Sequence, residues 1–340
     1  MARLIAQDGT EKDSRKDGKK DEDQYRFCTL ASLREVWIGT RGSASLPPLR
    51  AGEAMKLQNL VTVVTGASQG LGRGIAEEFV KEGAHVVICA RNGALLETVR
   101  SRLEGLANSG QRVLAYAGDV SSPEQMQELF RRTEQEIGLV DVLVNNAGVY
   151  GPKGPSESVD LEEWRRALEI NLFGTFIPTR FAVAQMKKKG SGKIINLSGG
   201  GATNPLPRFS AYAASKAAVV RLTETLAEEL RVFSIAVNAI APGALNTRLL
   251  DEVLEAGPEL VGSAFYQKAL NQRETGGAPI EKGIALCVYL ASAASDGITG
   301  KLISALWDPW EKLHDFRAEL EGNDIYTLRR IVPEDRGKKF

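Results

Sequence analysis

Apolar positions along the chain follow two alternating rhythms from residue 56 onward. Short apolar runs, most of them rich in β-branched residues, occupy 60–65, 85–90, 113–117, 140–145, 193–198, 234–240 and 301–305, and each predicts a strand. Between them, apolar residues recur at helical spacing over 71–82, 95–106, 123–137, 161–189, 211–231 and 281–291. Pro123 stands where a helix start favours proline. Several strands are apolar on both faces, as strands of a parallel sheet covered on both sides are. Right-handed crossovers then wind the chain into one α/β domain, a doubly wound seven-stranded parallel sheet with helices on both faces. No repeat of solenoid length interrupts it.

The ends depart from this rhythm. Residues 8–23 carry charge of mixed sign at most positions, which predicts disorder, and 41–52 is a Gly/Ser/Pro-rich linker. Residues 1–54 are therefore expected to be an extension: a tether, a partner-binding arm, or a stretch without function if translation starts at Met55. The catalytic unit would span 55–306, with a C-terminal extension over 307–340. That extension holds Trp307, Asp308, Pro309, Trp310, Tyr326, Arg329 and Arg330. It is expected to cover the substrate mouth or a neighbouring subunit, or to pack on its own domain. Inside 161–189, the ring of Pro178 would clash with the Gly174 carbonyl, so a kink is expected there, close to Asn171.

Composition narrows the partners. The chain has 340 residues, and its 43 Lys+Arg balance 43 Asp+Glu, so no basic excess points to nucleic acid. Three cysteines (Cys28, Cys89, Cys287) form no disulfide framework and suit a reducing, cytoplasmic setting. His85 and His314 stand far apart, so no metal site is expected. No apolar run approaches the ~18 residues of a membrane span, and the N-terminus lacks the features of a targeting signal.

The chemistry sits at the carboxyl ends of the predicted strands, the edge where open α/β sheets bind ligands. The first turn reads Thr65-Gly66-Ala67-Ser68-Gln69-Gly70-Leu71-Gly72, between a strand and a helix. Gly66 suits a turn that strains other residues, and Gly70 and Gly72 would admit a pyrophosphate to the helix N-terminus. Asn145-Asn146-Ala147-Gly148 ends the fourth strand, and Ser198 the fifth. Tyr212 and Lys216 lie on the helix after it, and Pro242-Gly243 with Thr247 follows the sixth strand.

Over residues 57–306 these motifs together resemble the short-chain dehydrogenase/reductase family, which implies a Rossmann fold. The resemblance implies that Gly66, Ser68, Gln69, Gly70, Leu71 and Gly72 hold a dinucleotide. It implies that Asp119 and Val120 bracket the adenine. Asn145, Ala147 and Gly148 would flank the cofactor, with Asn145 steadying the sheet edge. Pro242, Gly243 and Thr247 would meet the nicotinamide end. Asn171, Ser198, Tyr212 and Lys216 would form the catalytic tetrad, and Asn171 would anchor a water that relays protons to Lys216. Lys216 would also bind the nicotinamide ribose. Members are commonly dimers or tetramers, so a homodimer or homotetramer is expected, through 161–189 and 211–231.

The residues support that chemistry independently. Tyr212 and Lys216, at i and i+4, share a helix face. A free tyrosine has a pKa near ~10. The Lys216 ammonium and an oxidised nicotinamide would together favour tyrosinate and lower that value, making Tyr212 a general acid in reduction and base in oxidation. Ser198 would polarise the substrate oxygen. The second strand ends Val87-Ile88-Cys89-Ala90-Arg91-Asn92, with no acid to bind a ribose diol. Arg91 can pair with a phosphate, so NADP(H) is favoured over NAD(H). Residues 244–277 are expected to form a substrate loop whose Leu245, Leu249, Leu250, Val253, Phe265 and Tyr266 face Leu206, Pro207 and Phe209. The expected function is NAD(P)-dependent hydride exchange with a small carbonyl or alcohol substrate. Other readings are an NAD-linked sugar or polyol dehydrogenase and a catalytically idle dinucleotide sensor or scaffold.

Overall fold

Each predicted strand and helix is present to within two residues. The computed structural model describes residues 55–339; the extension expected over 1–54, with Cys28, lies outside the described residues. The strands are β1 (Val61–Thr65), β2 (His85–Ala90), β3 (Val113–Ala117), β4 (Val142–Asn145), β5 (Gly192–Leu197), β6 (Ile235–Ala241) and β7 (Leu302–Ser304). All pair in parallel, in the order β3-β2-β1-β4-β5-β6-β7. The order reverses between β1 and β4, so the chain winds outward in both directions from the middle and leaves a crevice there.

The sheet divides two cores. Every residue of β1 is buried, and the alternation along the strand sends Val64 to one side and Val63 to the other. On Val64's side lie α1 (Gly70–Lys81), α2 (Gly93–Leu106) and a late helix, Ile280–Ala291. On Val63's side lie α3 (Pro123–Glu136), the 161–189 stretch and Ser210–Leu230. Local signals set the helix starts. Asn92, Ser122 and Asp160 each accept a backbone N–H through the side chain at an N-cap.

The 161–189 stretch departs from the expected kink. Helix α4 (Leu161–Leu168) passes into a π-helical turn over Glu169–Phe173, and α5 (Gly174–Lys189) then runs on through Pro178. The irregularity thus falls one turn before Gly174–Pro178, and Asn171 sits inside it. A Cβ on Gly174 would lie 2.5 Å from Val120 Cγ2, so this glycine lets the helix close on the β3 loop.

The rest of the helices are α6 (Ser210–Leu230), α7 (Arg248–Val261), α8 (Ser263–Thr275), α9 (Ile280–Ala291) and the short α10 (Arg317–Leu320). Residues 244–277 are therefore largely helical rather than a loop. Gly257, at φ 73°, breaks α7, and Gly262, at φ 85°, separates it from α8. These breaks obscured the helical period.

The C-terminal extension packs on its own domain. Trp310 is buried against Tyr289, with ring centroids 5.7 Å apart, and its indole donates to Ala305 O at 3.2 Å. Leu313 and Leu320 join the same core. Farther on, Leu302 N donates to Tyr326 O at 2.7 Å, and Lys301 Nζ donates to the carbonyls of Asn323 and Ile325 at 3.0 Å. Among the described residues no helix is long and apolar enough to cross a membrane, and no group of three or more His, Cys, Asp or Glu could hold a metal.

Candidate active site

Because all strands run one way, their carboxyl ends share one edge, and a cavity of about 1250 Å3 opens there. That exceeds the ~300–1,000 Å3 typical of a pocket for one small ligand. The β1 turn contributes Gly66, Ser68, Gln69, Gly70, Leu71 and Gly72 to its wall, and the ends of β2 and β3 contribute Arg91, Asp119 and Val120. Ala147, Gly148 and Ser198 line it after β4 and β5; Tyr212 and Lys216 face it from α6. Pro242, Gly243 and Thr247 close it after β6. Two sequence-predicted residues, Asn145 and Asn171, are not brought to its surface and lie behind it.

The glycine-rich turn has two separate duties. Gly70, at φ 55°, takes a left-handed backbone that a side chain would strain. Gly66, at φ 65°, shares that left-handed backbone, and Gly66 and Gly72 both make room for a neighbour. A Cβ on Gly66 would lie 2.8 Å from Ala147 Cα, and one on Gly72 would collide with Asn146 Nδ2. Asn146 Nδ2 donates to Thr65 O at 2.9 Å and Gly66 O at 3.1 Å, while Thr65 Oγ1 accepts from Asn146 N at 3.0 Å. Gly72 was expected to open space for a pyrophosphate; here it opens space for Asn146. Asn146 is thus a residue that sequence reasoning passed over. Asn145 next to it points into the sheet, donating to Thr179 Oγ1 and Asn196 Oδ1 at 2.9 Å each.

On the β5 side three groups converge. Ser198 Oγ is buried and has no hydrogen-bond partner among the described residues. Lys216 is buried, and its Nζ donates to Leu197 O at 2.7 Å, one bond where an ammonium offers three. Burial lowers its pKa to about 8. Tyr212 lies one turn earlier, its ring centroid 5.7 Å from Lys216 Nζ. Burial, and to a lesser extent Tyr150, pushes the Tyr212 hydroxyl well above the ordinary tyrosine range. This is the state of the protein alone, with no nicotinamide beside the hydroxyl. A Cβ on Gly199 would lie 2.5 Å from Tyr212 Oη, so the glycine after Ser198 sets how close the hydroxyl comes to β5. Tyr150 packs edge-on against Tyr212, with centroids 4.7 Å apart. Neither Gly199 nor Tyr150 stood out as a site residue in the sequence.

Asn171 in the π-helical turn clamps the β4 loop. Its Oδ1 accepts from Val149 N, and its Nδ2 donates to Val149 O and Ser215 Oγ, all at 2.9 Å. Both amide hydrogens are thereby used, while Oδ1 keeps one lone pair. A Cβ on Gly148 would lie 3.3 Å from that oxygen and 3.5 Å from Lys216 Nζ, so both atoms border one small space.

At the far end, Arg91 is exposed and makes no ion pair among the described residues. The Asp119 carboxylate is already engaged by Ser121 N, Ser121 Oγ and Arg166. Partial burial opposes its ionisation, but these hydrogen bonds and the guanidinium outweigh it and hold its pKa low. Opposite, α7 and α8 bring Leu249, Leu250, Val253 and Phe265 to the cavity, with Leu245 from the preceding loop and Leu206 across from them. Tyr266 and Pro207 do not line it, and Phe209 is fully buried behind Tyr150 and Phe265. Of the C-terminal extension only Trp307, 84% exposed, reaches the mouth.

The family model for short chain dehydrogenases matches residues 60–257. The chain is 39% identical to a 3beta-hydroxysteroid dehydrogenase of Eggerthella lenta over 72% of its own length and 91% of that protein's. It is 36% identical to an NADP-dependent (R)-specific alcohol dehydrogenase of Lentilactobacillus kefiri, over 72% and 94%. Among solved structures, an NAD+-bound xylitol dehydrogenase superposes with a TM-score of 0.66 at 26% identity, over 73% of this chain and 98% of that one. The chain belongs to the short-chain dehydrogenase/reductase family. It is an oxidoreductase of alcohol and carbonyl groups that uses a nicotinamide cofactor.

The close approach at Gly199 yields a test. Gly199→Ala leaves the backbone unstrained but pushes the buried Tyr212 ring aside. Misplacing a reacting group by ~1 Å costs about 100-fold in turnover, so a loss of that order is the outcome that would mark Tyr212 as one. Circular dichroism and cofactor titration should read as in the unaltered protein.

Proposed function

We propose that this protein is an NADP(H)-dependent carbonyl reductase in which Tyr212 is the general acid. The observation that carries the reading is the convergence of the Tyr212 hydroxyl, the Lys216 ammonium and the unpartnered Ser198 Oγ on one wall of the cavity.

The wall suits a dinucleotide. The start of α1 and the Gly70 turn present backbone N–H groups where a pyrophosphate is favoured. Lys216 has donors left for ribose hydroxyls. Thr247 packs close to Gly70, where a Cβ would lie 3.4 Å from Thr247 Cγ2, so the loop after β6 meets the glycine turn across the cofactor end. When bound, a nicotinamide supplies or accepts the hydride. The protein does the rest. Ser198 donates to the substrate oxygen and stabilises the charge that develops on it. Tyr212, kept protonated by burial, delivers the proton to that oxygen. The Lys216 ammonium stabilises the phenolate left behind. Asn171 holds the Val149 loop, and its free lone pair and Lys216 can share a water above Gly148, through which the proton is replaced from solvent.

Arg91 selects the cofactor. It is an exposed guanidinium at the β2 end with no acidic neighbour in the run 87–92, and it suits a 2′-phosphate. The NADP-dependent alcohol dehydrogenase relative supports this choice. The expected homo-oligomer finds support in Leu161, Phe173 and Phe176, exposed apolar residues on the 161–189 stretch.

Three outcomes are expected. Tyr212→Phe keeps NADPH binding, followed by nicotinamide fluorescence, and loses carbonyl reduction by at least about 100-fold; retained turnover removes the general acid. The native protein binds NADPH more tightly than NADH, and Arg91→Ala reduces that preference about 10-fold or more, since a charged hydrogen-bonded pair contributes ~1.5–3 kcal/mol. An unchanged ratio sinks the assignment. Finally, Lys216 has its pKa depressed from 10.5 to about 8, so it is an ammonium below that pH and a neutral amine above it. Reductive kcat/KM for NADPH, which reports the free enzyme, should fall as pH rises through about 8. Between 8 and 10.5 the folded state binds fewer protons here than the unfolded state, so this group adds stability as pH rises. The fall is therefore not unfolding driven by Lys216.

A further inference from the structure

The cations of the cavity separate into two kinds. Arg73, Arg248 and Arg273 each face an acid, with Glu77 at 3.5 Å, Glu252 at 3.3 Å and Asp251 at 3.2 Å. Lys216 is bonded to a carbonyl. Among the described residues, Arg91 and Lys268 alone line the cavity with no charged or hydrogen-bonding partner. Arg91 stands at the β2 end and serves the cofactor reading. Lys268, exposed to solvent, stands on α8, among the residues that pack toward Phe265.

Its place on α8 is set by helical spacing. Phe265, Lys268, Ala269 and Gln272 recur at i, i+3, i+4 and i+7, and all four line the cavity. Phe265 and Ala269 belong to the apolar cluster that includes Tyr212. From Phe265 an unbroken run of rings leads back to it: Phe265 to Phe209 at 4.8 Å, Phe209 to Tyr150 at 5.2 Å, and Tyr150 to Tyr212 at 4.7 Å. Gln272 is tied to Asn246 in the loop after β6 through a 3.2 Å bond, which anchors this face over the cavity. Lys268 thus lies one turn beyond Phe265, with apolar side chains between it and the reacting groups.

We propose that Lys268 receives an anionic group on the substrate. Resting on the carbonyl-reductase reading, this names the substrate class: a ketone or secondary alcohol with an apolar body and a carboxylate or similar anion distant from the reacting carbon. The oxygen meets Ser198 and Tyr212, the body lies along Tyr150, Leu206, Val253 and Phe265, and the anion ends at Lys268. A neutral sugar or polyol would leave the apolar stretch and the cation unused.

The test uses an oxo-carboxylic acid of medium chain length and its methyl ester, which differ in charge at one end. Calorimetric titration of the NADP+-bound protein, which has no hydride to give a ketone, should show the acid binding about 5- to 10-fold more tightly than the ester, as for one partly exposed charge-assisted hydrogen bond. Lys268→Gln should abolish the difference by weakening the acid alone, and Lys268→Arg should keep most of it. In turnover the same loss should appear in KM, with kcat retained. Equal binding of acid and ester by the native protein overturns the proposal. So does a Lys268→Gln variant that weakens both ligands alike. Weakened NADPH binding in that variant also overturns it, because Lys268 would then serve the cofactor phosphates. A protein that prefers the acid in binding yet reduces neither compound sinks the reductase reading while leaving the anion receptor standing.

Discussion

The ammonium of Lys216, removed from water at the end of β5, is the constraint on which the rest of the site depends. A buried charge is tolerated only where neighbouring dipoles stabilise it, and the Leu197 carbonyl at 2.7 Å is the one that does so in the protein itself. That bond ties α6 to β5. Tyr212, one turn before it, is carried to the same strand end, and Gly199 is the only residue type that lets its hydroxyl come so near. The cost of burying the charge is visible in its depressed pKa. A ligand that accepts from Nζ would relieve that cost, so on the proposed reading affinity and geometry draw on one group.

Behind the cavity wall a polar framework holds the apolar sheet in register. Asn145 bonds Thr179 and Asn196, and Asn196 in turn donates to Thr223 Oγ1 at 2.8 Å. Asn171 grips Val149 and Ser215, and Asn146 staples the turns after β1 and β4. These amides are interior and hydrogen-bonded, and a network of this kind fixes geometry where apolar packing alone would tolerate sliding. They position the loops whose backbone and side chains line the cavity.

The fold was legible because the buried strands are continuous apolar runs and the helices between them keep their period. Where the period is broken, legibility fails. Gly257 and Gly262 interrupt 244–277, so two helices read as a loop. The cavity wall was legible as residue types in order along the strand ends, where Ser198, Tyr212 and Lys216 were named and where all three line the cavity. What each residue touches was not legible. Asn145 and Asn146 are adjacent and identical, and only the alternation of a strand decides that one points inward and the other crosses to Thr65. Gly72 and Gly199 are required by side chains that arrive from 74 and 13 positions further along the chain, those of Asn146 and Tyr212. The proton held on Tyr212 reflects a degree of burial that no linear pattern encodes.

The C-terminal extension has a consequence for the sheet margin. An outermost strand exposes a row of unsatisfied amides and carbonyls, a template onto which another chain can add. At β7 the first amide of that row is taken from within, Leu302 N donating to Tyr326 O, and the Lys301 side chain just before the strand holds the same segment through the carbonyls of Asn323 and Ile325. The strand is only three residues long, and the returning chain guards it. At the opposite margin β3 has no such cover among the described residues and stays half-exposed along its length. Among the described residues the sheet is thus guarded against strand addition on the β7 flank and open on the β3 flank.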